Sequence, residues 1–145
     1  MNIHQILQGK KINALYSVSS DQTVLEALKF MAEKNIGAVL VVDKGVLTGI
    51  FSERDYARKV ILKDRHSDDT RIADVMTSSV ITVEPEQSLE QAMIIMSDKH
   101  IRHLPVMNKG ELIGIISIND VVSAIIRDQK TRIDSLESYI SGSPY

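Results

Sequence analysis

The stretch GIISIND, residues 114–120, decides the fold, because the chain contains the same pattern twice. In it an apolar, strand-like run ends on a serine, and a carboxylate follows three residues later. The earlier copy is GIFSERD, residues 49–55, and helix-like sequence follows each copy, as VVSAII and as YARKVI. A strand that leads into a helix is therefore predicted at two places in the chain.

The repeated pattern belongs to a duplication that covers most of the chain. A shift of 65 positions, which places Asp55 on Asp120, aligns residues 18–61 with residues 83–126 without a gap. Identical residues recur along this alignment and include Val18/Val83, Met31/Met96, Gly45/Gly110, Ser52/Ser117 and Asp55/Asp120. Two long copies, rather than many short ones, indicate a pseudo-symmetric pair and not a solenoid.

Each copy carries the same predicted elements. Thr23-x-x-Glu26 and Ser88-x-x-Gln91 are capping boxes at the start of amphipathic helices. The strand runs AVLVVD and HLPVMN follow, then a Lys-Gly turn, then VLTGIFS or ELIGIIS and a second helix. With the extended segments LYSVSS and VITVEP in front, the expected fold is α+β: two pseudo-twofold-related β-α-β-β-α repeats packed through their sheets. Such packing is expected because a copy of about 60 residues has a small core of its own.

The sequence also predicts where the repeats begin and end. Residues 1–67 are expected to form the first repeat with its N-terminal segment, and residues 68–130 the second repeat, both in one module. Residues 131–145 are expected to form a C-terminal helix and tail. Ile133, Leu136 and Ile140 fall on one face of that helix, which predicts that it docks as a closing helix.

Composition excludes several classes of protein. With 43% hydrophobic residues the chain can bury a core, and its formal net charge of −2 favours no nucleic-acid partner. Absence of cysteine excludes disulfides and thiolate chemistry. The apolar runs are far too short to span a membrane, and the first residues, MNIHQILQGKK, lack the features of a secretion signal. A cytoplasmic protein is therefore expected.

The repeated serine and aspartate allow two interpretations at this point. Ser52 and Ser117 stand where a serine caps a helix, and the aspartates three residues later suit the first helical turn without any ligand. Alternatively, a helix N-terminus binds a phosphate, and a carboxylate accepts hydrogen bonds from the two hydroxyls of a ribose. Arg54 favours the second interpretation, whereas its counterpart Asn119 carries no charge, so two unequal sites are expected.

The two copies together resemble a tandem pair of CBS domains, also called a Bateman module. The resemblance is carried by the duplicated runs DQTVLEALKFMAEKNIGAVLVVDKGVLTGIFSERD and EQSLEQAMIIMSDKHIRHLPVMNKGELIGIISIND, and by IADVMT before the second copy. The runs SERDYARKVILK and LESYISG further resemble small stand-alone bacterial CBS-domain proteins. The resemblance implies a regulatory sensor of adenine nucleotides that signals by a conformational change, and it implies no enzyme activity.

The resemblance also implies crosswise ligand sites, in which the motif of one repeat faces strands of the other. One expected site uses Ile50, Ser52 and Asp55, against Val80, Ile81, Arg102, His103 and Pro105, with Asn119 nearby. The other uses Ile115, Ser117 and Asp120, against Leu15, Tyr16, Ser17, Gly37 and Ala38, with Arg54 reaching the phosphate. The second site is expected to bind a phosphorylated ligand more strongly, and Arg58 either extends its charge or is a solvated helix residue.

Several alternatives remain open for ligand and partner. AMP is the first expectation, with ATP or NAD as further candidates and S-adenosylmethionine as an alternative ligand; a dimeric scaffold without ligand is the rival function. A homodimer is expected through the helices that begin at Val24, Glu53, Leu89 and Ile118, together with an unknown protein partner. No catalytic or metal site is expected, since His100 and His103 share no helical face.

Overall fold

The computed structural model describes residues 1–10 and 15–140, which form two compact units. The first-repeat unit is the described part of Ala14–Ile81, and the second-repeat unit combines the described parts of Met1–Asn13 and Thr82–Tyr145. Each unit contains helices and one small sheet, as the expected α+β class requires. Within the described residues, no helix combines the length and apolar character needed to cross a membrane.

The first-repeat unit is built on a three-stranded sheet. Strand β1 (Ser17–Val18) pairs in parallel with β2 (Ala38–Asp43), which pairs antiparallel with β3 (Val46–Ser52). Helix α2 (Val24–Lys34) connects β1 to β2. The core consists of buried apolar side chains from the sheet and from the helices, namely Val18, Val24, Ala27, Met31, Val39, Val41, Phe51, Val60, Ile72 and Val75.

The second-repeat unit contains the corresponding helix and hairpin. Helix α5 (Leu89–Lys99) precedes β4 (His103–Asn108) and β5 (Glu111–Ser117), which pair antiparallel. In both hairpins the predicted Lys-Gly turn is present, and both of its residues have a positive φ, for example 51° at Lys109 and 83° at Gly110. Such backbone favours glycine and matches the twist of the strands.

The predicted starts of the first helices are confirmed by their caps. The Thr23 side chain accepts the Glu26 backbone N–H at 3.2 Å, and Ser88 with Gln91 forms a complete capping box. Both helices end at a left-handed residue, Asn35 in one case and His100 in the other, each with φ 54°. The duplicated sequence therefore produces duplicated helix boundaries.

The extended segment before α5 differs from its prediction as a full strand. It contributes one parallel bridge, in which the Val83 N–H donates to Pro105 O at 3.0 Å and its carbonyl accepts the Met107 N–H at 2.8 Å. Pro85 follows two residues later, and proline has no N–H with which to continue a ladder. In the first repeat the equivalent segment forms β1.

The N-terminal segment does not lie in the unit to which the sequence assigned it. Helix α1 (Ile3–Gln8) belongs to the second-repeat unit, where the Ile3 N–H donates to Gln87 O at 2.9 Å. Leu7 packs so closely on Gly114 of β5 that a Cβ atom there would lie 2.8 Å from Leu7 Cδ2. These contacts are made between residues far apart in sequence, so the expected boundary, 1–67, could not take them into account.

Residues 68–81, which were assigned to the second repeat, lie in the first-repeat unit instead. Helix α4 (Ile72–Val75) belongs to the first-repeat unit, where the Ile72 N–H donates to Gln22 O at 2.9 Å. Thr70 O accepts the Val24 N–H at the start of α2, also at 2.9 Å. The short helix in front of each repeat therefore packs on the other repeat, which differs from the predicted division of 1–67 and 68–130.

The helices that follow the two motifs differ between the repeats. After β3, helix α3 (Glu53–Asp55) continues as a π-helical turn, Tyr56–Val60, and a 3-10 turn, Ile61–Lys63. After β5, helix α6 runs without a break from Ile118 to Ile140.

The predicted separate helix of residues 131–145 is therefore part of α6 as far as Ile140, because no glycine or proline interrupts residues 118–140. Its predicted docking is wrong, since Ile133, Leu136 and Ile140 are exposed. Residues 141–145 of the predicted tail lie outside the described residues.

Candidate functional site

The duplicated motif lies at the junctions β3–α3 and β5–α6, where each serine caps the helix. The Asp55 N–H donates to Ser52 Oγ at 3.2 Å, and the Ser52 N–H donates to Asp55 Oδ2 at 3.0 Å. The Asp120 N–H and Ser117 Oγ are likewise 3.2 Å apart, and the Ser117 N–H lies 2.8 Å from Asp120 Oδ2. The predicted capping role is confirmed, and hydrogen bonds from the backbone hold the carboxylate of each motif at its junction.

The first helical N–H groups at both junctions donate to the carbonyls of the residues that directly precede β2 and β4. The Glu53 N–H donates to Gly37 O at 3.1 Å, and the Ile118 N–H donates to Arg102 O at 2.8 Å. Because these groups already have acceptors, they do not provide the open anion site that the helix start predicted. A phosphate at either junction would therefore need donors other than these two N–H groups.

Asp55 is buried and accepts hydrogen bonds on both carboxylate oxygens. Oδ2 accepts the N–H and the hydroxyl of Ser52, and Oδ1 lies 3.1 Å from both Thr77 Oγ1 and Lys59 Nζ. A carboxylate has about four acceptor positions, so these four donors occupy it. A ribose could bind here only after the Thr77 or Lys59 contact had been broken.

Thr77 also covers the backbone next to the first motif. Its N–H and carbonyl form two hydrogen bonds with the carbonyl and N–H of Ile50, at 2.9 and 3.0 Å. Val80 and Ile81 follow in the same unit and are half-buried. The structure thus places Ile50, Val80 and Ile81 in one unit with the motif, while the Ile50 backbone is already paired.

Asp120 has a different neighbour, Lys10, which follows helix α1. Lys10 Nζ lies 3.0 Å from Asp120 Oδ2 and donates to Ile115 O at 2.7 Å. The side chains of Lys10 and Asp120 are only 18% and 22% exposed. A single ammonium therefore covers the two residues, Asp120 and Ile115, that were expected to bind ribose and adenine.

Sequence reasoning missed three residues outside the capping boxes that contact the two carboxylates. Lys59 stands four residues after Asp55, and this helical spacing was a usable signal for an ion pair. Thr77 is the last residue of IADVMT, a run singled out without a role for its hydroxyl. Lys10 lies outside the aligned repeats, and nothing in the sequence pairs it with Asp120.

The expected residues around β1 make contacts within the first-repeat unit. The Tyr16 ring packs edge-on against Phe30, with centroids 5.8 Å apart, and Lys34 Nζ lies 5.4 Å from the centre of the Tyr16 ring. Leu15 and Ser17 are exposed on either side of it. The Tyr16 ring is therefore partly covered by α2.

The remaining expected residues of the strands flank the capping serines. The antiparallel registers place Ala38 opposite Ser52, His103 opposite Ser117 and Pro105 opposite Ile115. Gly37 and Arg102 provide the carbonyls that accept the first helical N–H groups. Each set thus surrounds the motif of its own unit.

The charged residues after the motifs differ as the sequence indicated. Arg54 and Asn119 both occupy the second helical position and are exposed, and Arg58 is exposed four residues after Arg54. Each predicted crosswise site takes residues from both units, because Arg54 belongs to the first-repeat unit whereas Asp120 belongs to the second. The crosswise combination therefore stays a prediction.

The helical face of the first-repeat unit carries a groove with a volume of about 490 Å³. It lies between α2 and the helical segment that begins at Glu53, and its lining is mainly apolar: Leu28, Met31, Ala32, Asn35, Ile36, Gly37, Glu53 and Tyr56. The helices that border this groove, those beginning at Val24 and Glu53, are two of the four that were expected to form a dimer interface.

Within the described part of the chain, shifted pKa values and possible metal ligands indicate no further site. Hydrogen bonds from Gln22 and Thr23 lower the pKa of Glu26, and hydrogen bonds from Ser20 and Thr48 lower the pKa of Asp43, all outside the motifs. In residues 1–10 and 15–140, no three histidine or acidic side chains are grouped to hold a metal ion. His100 ends α5 whereas His103 begins β4.

Comparisons with known proteins agree with the duplicated architecture. The sequence matches the CBS domain family twice, at residues 12–62 and 72–127. The mitochondrial CBS domain-containing protein CBSX3 of Arabidopsis thaliana is 42% identical over 129 residues, which is 86% of this chain and 63% of that protein. This chain therefore spans less than two thirds of that relative.

Solved structures show the same fold. A protein with CBS domains from Burkholderia ambifaria is 47% identical, with a TM-score of 0.86 over 89% of this chain and 96% of that chain. The CBS domain pair of protein MJ0100 was solved with 5′-methylthioadenosine and S-adenosyl-L-methionine. It is 25% identical, with a TM-score of 0.76 over 89% of this chain and 98% of that chain.

Proposed function

This chain belongs to the CBS domain family, and on that premise we propose that it is a regulatory module that binds an adenine nucleotide rather than an enzyme. The observation that carries the proposal is the Asp120 carboxylate, held at a strand–helix junction and covered by one lysine from another segment. The adenosine-containing ligands of the MJ0100 pair support the ligand class. AMP is the first candidate, followed by ATP and NAD.

Asp120 is the better ribose acceptor of the two motif carboxylates. Asp55 is occupied by four donors, two of which come from Ser52 in its own capping box. At Asp120 the ion pair comes from Lys10, and a ribose diol can replace one lysine ammonium at a carboxylate. Binding is therefore expected to depend more on Asp120 than on Asp55.

Displacement of Lys10 would couple ligand binding to the N-terminal segment. Lys10 follows helix α1, whose Leu7 packs on Gly114 of the same strand that ends at Ser117. A ligand that takes Asp120 from Lys10 favours states in which this segment is rearranged, and a protein partner can recognise those states. The affinity of the ligand for the protein is lowered by the free energy needed to break the contact between Lys10 and Asp120.

A dimeric scaffold is the second candidate function. The saturated Asp55 and the apolar groove beside Met31 and Tyr56 favour it, because a groove of this kind suits a protein contact. In the sensor proposal the same groove contributes to a homodimer through the repeat helices. The two functions differ in whether any adenine ligand binds.

Isothermal titration calorimetry with AMP, ADP, ATP, NAD and S-adenosylmethionine tests the proposal. We expect saturable binding of one ligand that weakens by about tenfold or more in Asp120→Asn, because hydrogen bonds to a charged group are lost. Asp55→Asn should weaken binding less. Asp98→Asn, at an exposed position of α5, is the matched control. Absence of binding by a folded dimer for all five compounds would contradict the sensor proposal and favour the scaffold.

A further inference from the structure

The C-terminal half of helix α6 extends beyond the packed part of its unit. The buried residues of α6 are Val121 and Ala124, both near its start. Between Arg127 and Ile140 every residue is exposed or half-buried. Helical segments of this length are only marginally stable in water on their own, so a contact outside the unit is needed to stabilise this one.

Apolar side chains on this half form a regular stripe. Steps of four and three residues alternate along the positions Val122, Ile126, Gln129, Ile133, Leu136 and Ile140. All of these except Gln129 are large apolar residues, and they are 45–80% exposed. Alternating steps of four and three define the a and d positions of a coiled coil, whereas a helix that packs on its own core has a wider apolar face.

The order of residue types selects a second copy of the same helix as the occupant. Ile126, Ile133 and Ile140 fall at a positions, and Val122, Gln129 and Leu136 fall at d positions. Isoleucine at a with leucine at d favours parallel two-stranded coiled coils, in which each position meets its own counterpart. Gln129 is the polar position of the seam and lowers its stability.

Charges beside the stripe are complementary in the parallel arrangement. Arg132 occupies a g position and Glu137 the e position five residues later. In a parallel pair, the g position of one helix faces the e position five residues later on the other helix. Arg132 therefore faces Glu137 of the partner subunit, and the twofold symmetry of the dimer produces this pair on both sides of the coiled coil. Within the chain Arg132 pairs at 3.4 Å with Asp128, an exposed contact of little energetic value that does not prevent this exchange.

We propose that α6, from Val122 to Ile140, is a self-association helix that forms a parallel two-stranded coiled coil with a second copy of this chain. The seam covers the apolar stripe and supplies the missing contact of the C-terminal half. It lies on α6, one of the helices through which a homodimer was expected, and gives that helix an orientation and a register. None of the described contacts of Asp55 or Asp120 involves a residue of the stripe, so the coiled coil does not require ligand binding.

Sedimentation velocity of the full chain provides the first test. Ile133→Asp places a charge in the seam, whereas Thr131→Asp places the same charge at the f position, on the opposite face of the helix. We expect Ile133→Asp to raise the dissociation constant of the dimer by about tenfold or more, because two isoleucine side chains lose their burial. Thr131→Asp should leave it unchanged. Equal dissociation constants for wild type and Ile133→Asp overturn the proposal.

Disulfide cross-linking tests the parallel orientation, because the chain has no cysteine of its own. Under mild oxidation Leu136→Cys should form a covalent dimer, since d positions of parallel helices are adjacent, whereas Thr131→Cys should not. An antiparallel pair, or a seam that binds an unrelated protein, gives no more covalent dimer with Leu136→Cys than with Thr131→Cys, and either result overturns the proposal.

Charge reversal tests the pairing across the seam. Arg132→Glu and Glu137→Arg should each weaken the dimer, and the double variant should restore it to the wild-type dissociation constant. Failure of the double variant to recover overturns the proposed register.

Discussion

The contact between Lys10 and Asp120 supports a quantitative prediction about stability. Lys10 Nζ lies 3.0 Å from Asp120 Oδ2, and both side chains are largely buried. Exposed ion pairs contribute roughly 0.2–1 kcal/mol, whereas hydrogen bonds to charged groups contribute about 1.5–3 kcal/mol. Because this pair is partly desolvated and hydrogen-bonded, we expect a coupling free energy of about 1–2 kcal/mol between the two side chains.

A double-mutant cycle with Lys10→Met, Asp120→Asn and the double variant isolates this coupling. Methionine keeps most of the length of lysine and removes the charge. Lys10→Met should cost more than the coupling alone, since Ile115 O also loses the hydrogen bond that Lys10 donates at 2.7 Å. Lys29→Met, at an exposed position of α2, is the control for loss of a lysine and should change stability little.

Urea denaturation followed by circular dichroism gives the four free energies of unfolding. The cycle requires that all four proteins unfold in a single transition, and that their free energies of unfolding fall with urea concentration at the same slope. A coupling below about 0.3 kcal/mol would refute the reasoning, because an ion pair that couples so weakly behaves as a fully exposed one. The proposed displacement of Lys10 by a ligand would then have no energetic consequence.

Two further predictions concern the first-repeat unit. Gly49→Ala should lower its unfolding free energy by about 1–3 kcal/mol in calorimetry, because a Cβ atom would lie 2.7 Å from Met76 Sδ and 3.0 Å from Thr77 O; an unchanged transition would contradict this. Asp43 has a pKa lowered below 3.8 by hydrogen bonds from Ser20 and Thr48. Its stabilising contribution is therefore present above that pH and lost as pH falls through the lower, folded-state value. As the pH falls below the ordinary pKa of an aspartate, Asp43→Asn should lose less stability than wild type, and equal acid titrations of stability would contradict this.

Local sequence was sufficient for the starts of the first helices and for the hairpin turns. Thr23 and Ser88 cap their helices through contacts with residues three positions away, so the pattern alone determines where each helix begins. The same holds for the Lys109–Gly110 turn, where a positive φ follows from the turn itself. Because the sequence is duplicated, the same caps and turns occur in both copies.

Contacts between distant segments could not be predicted in this way. Helix α1 packs on Gly114, and α4 lies in the unit of Ile50, although each stands in sequence directly before the other repeat. The aligned repeats begin only at Val18 and Val83, so the exchanged segments lie outside the alignment that revealed the duplication. Thr77 and Lys10, which contact the two carboxylates, belong to these segments.

The two motifs use lysines of different origin, and this difference bears on how a ligand could act. Lys59 stands four residues after Asp55 on the same helical segment, so its displacement changes only a side-chain contact beside the motif. Lys10 comes from a segment more than a hundred residues earlier in the chain than Ile115, and it follows a helix that packs on β5. Because only the second contact joins distant parts of the chain, the proposed ligand at Asp120 would reposition a segment that a partner could then recognise. Asp55 is better explained as a structural member of its junction, which agrees with its burial and its four donors.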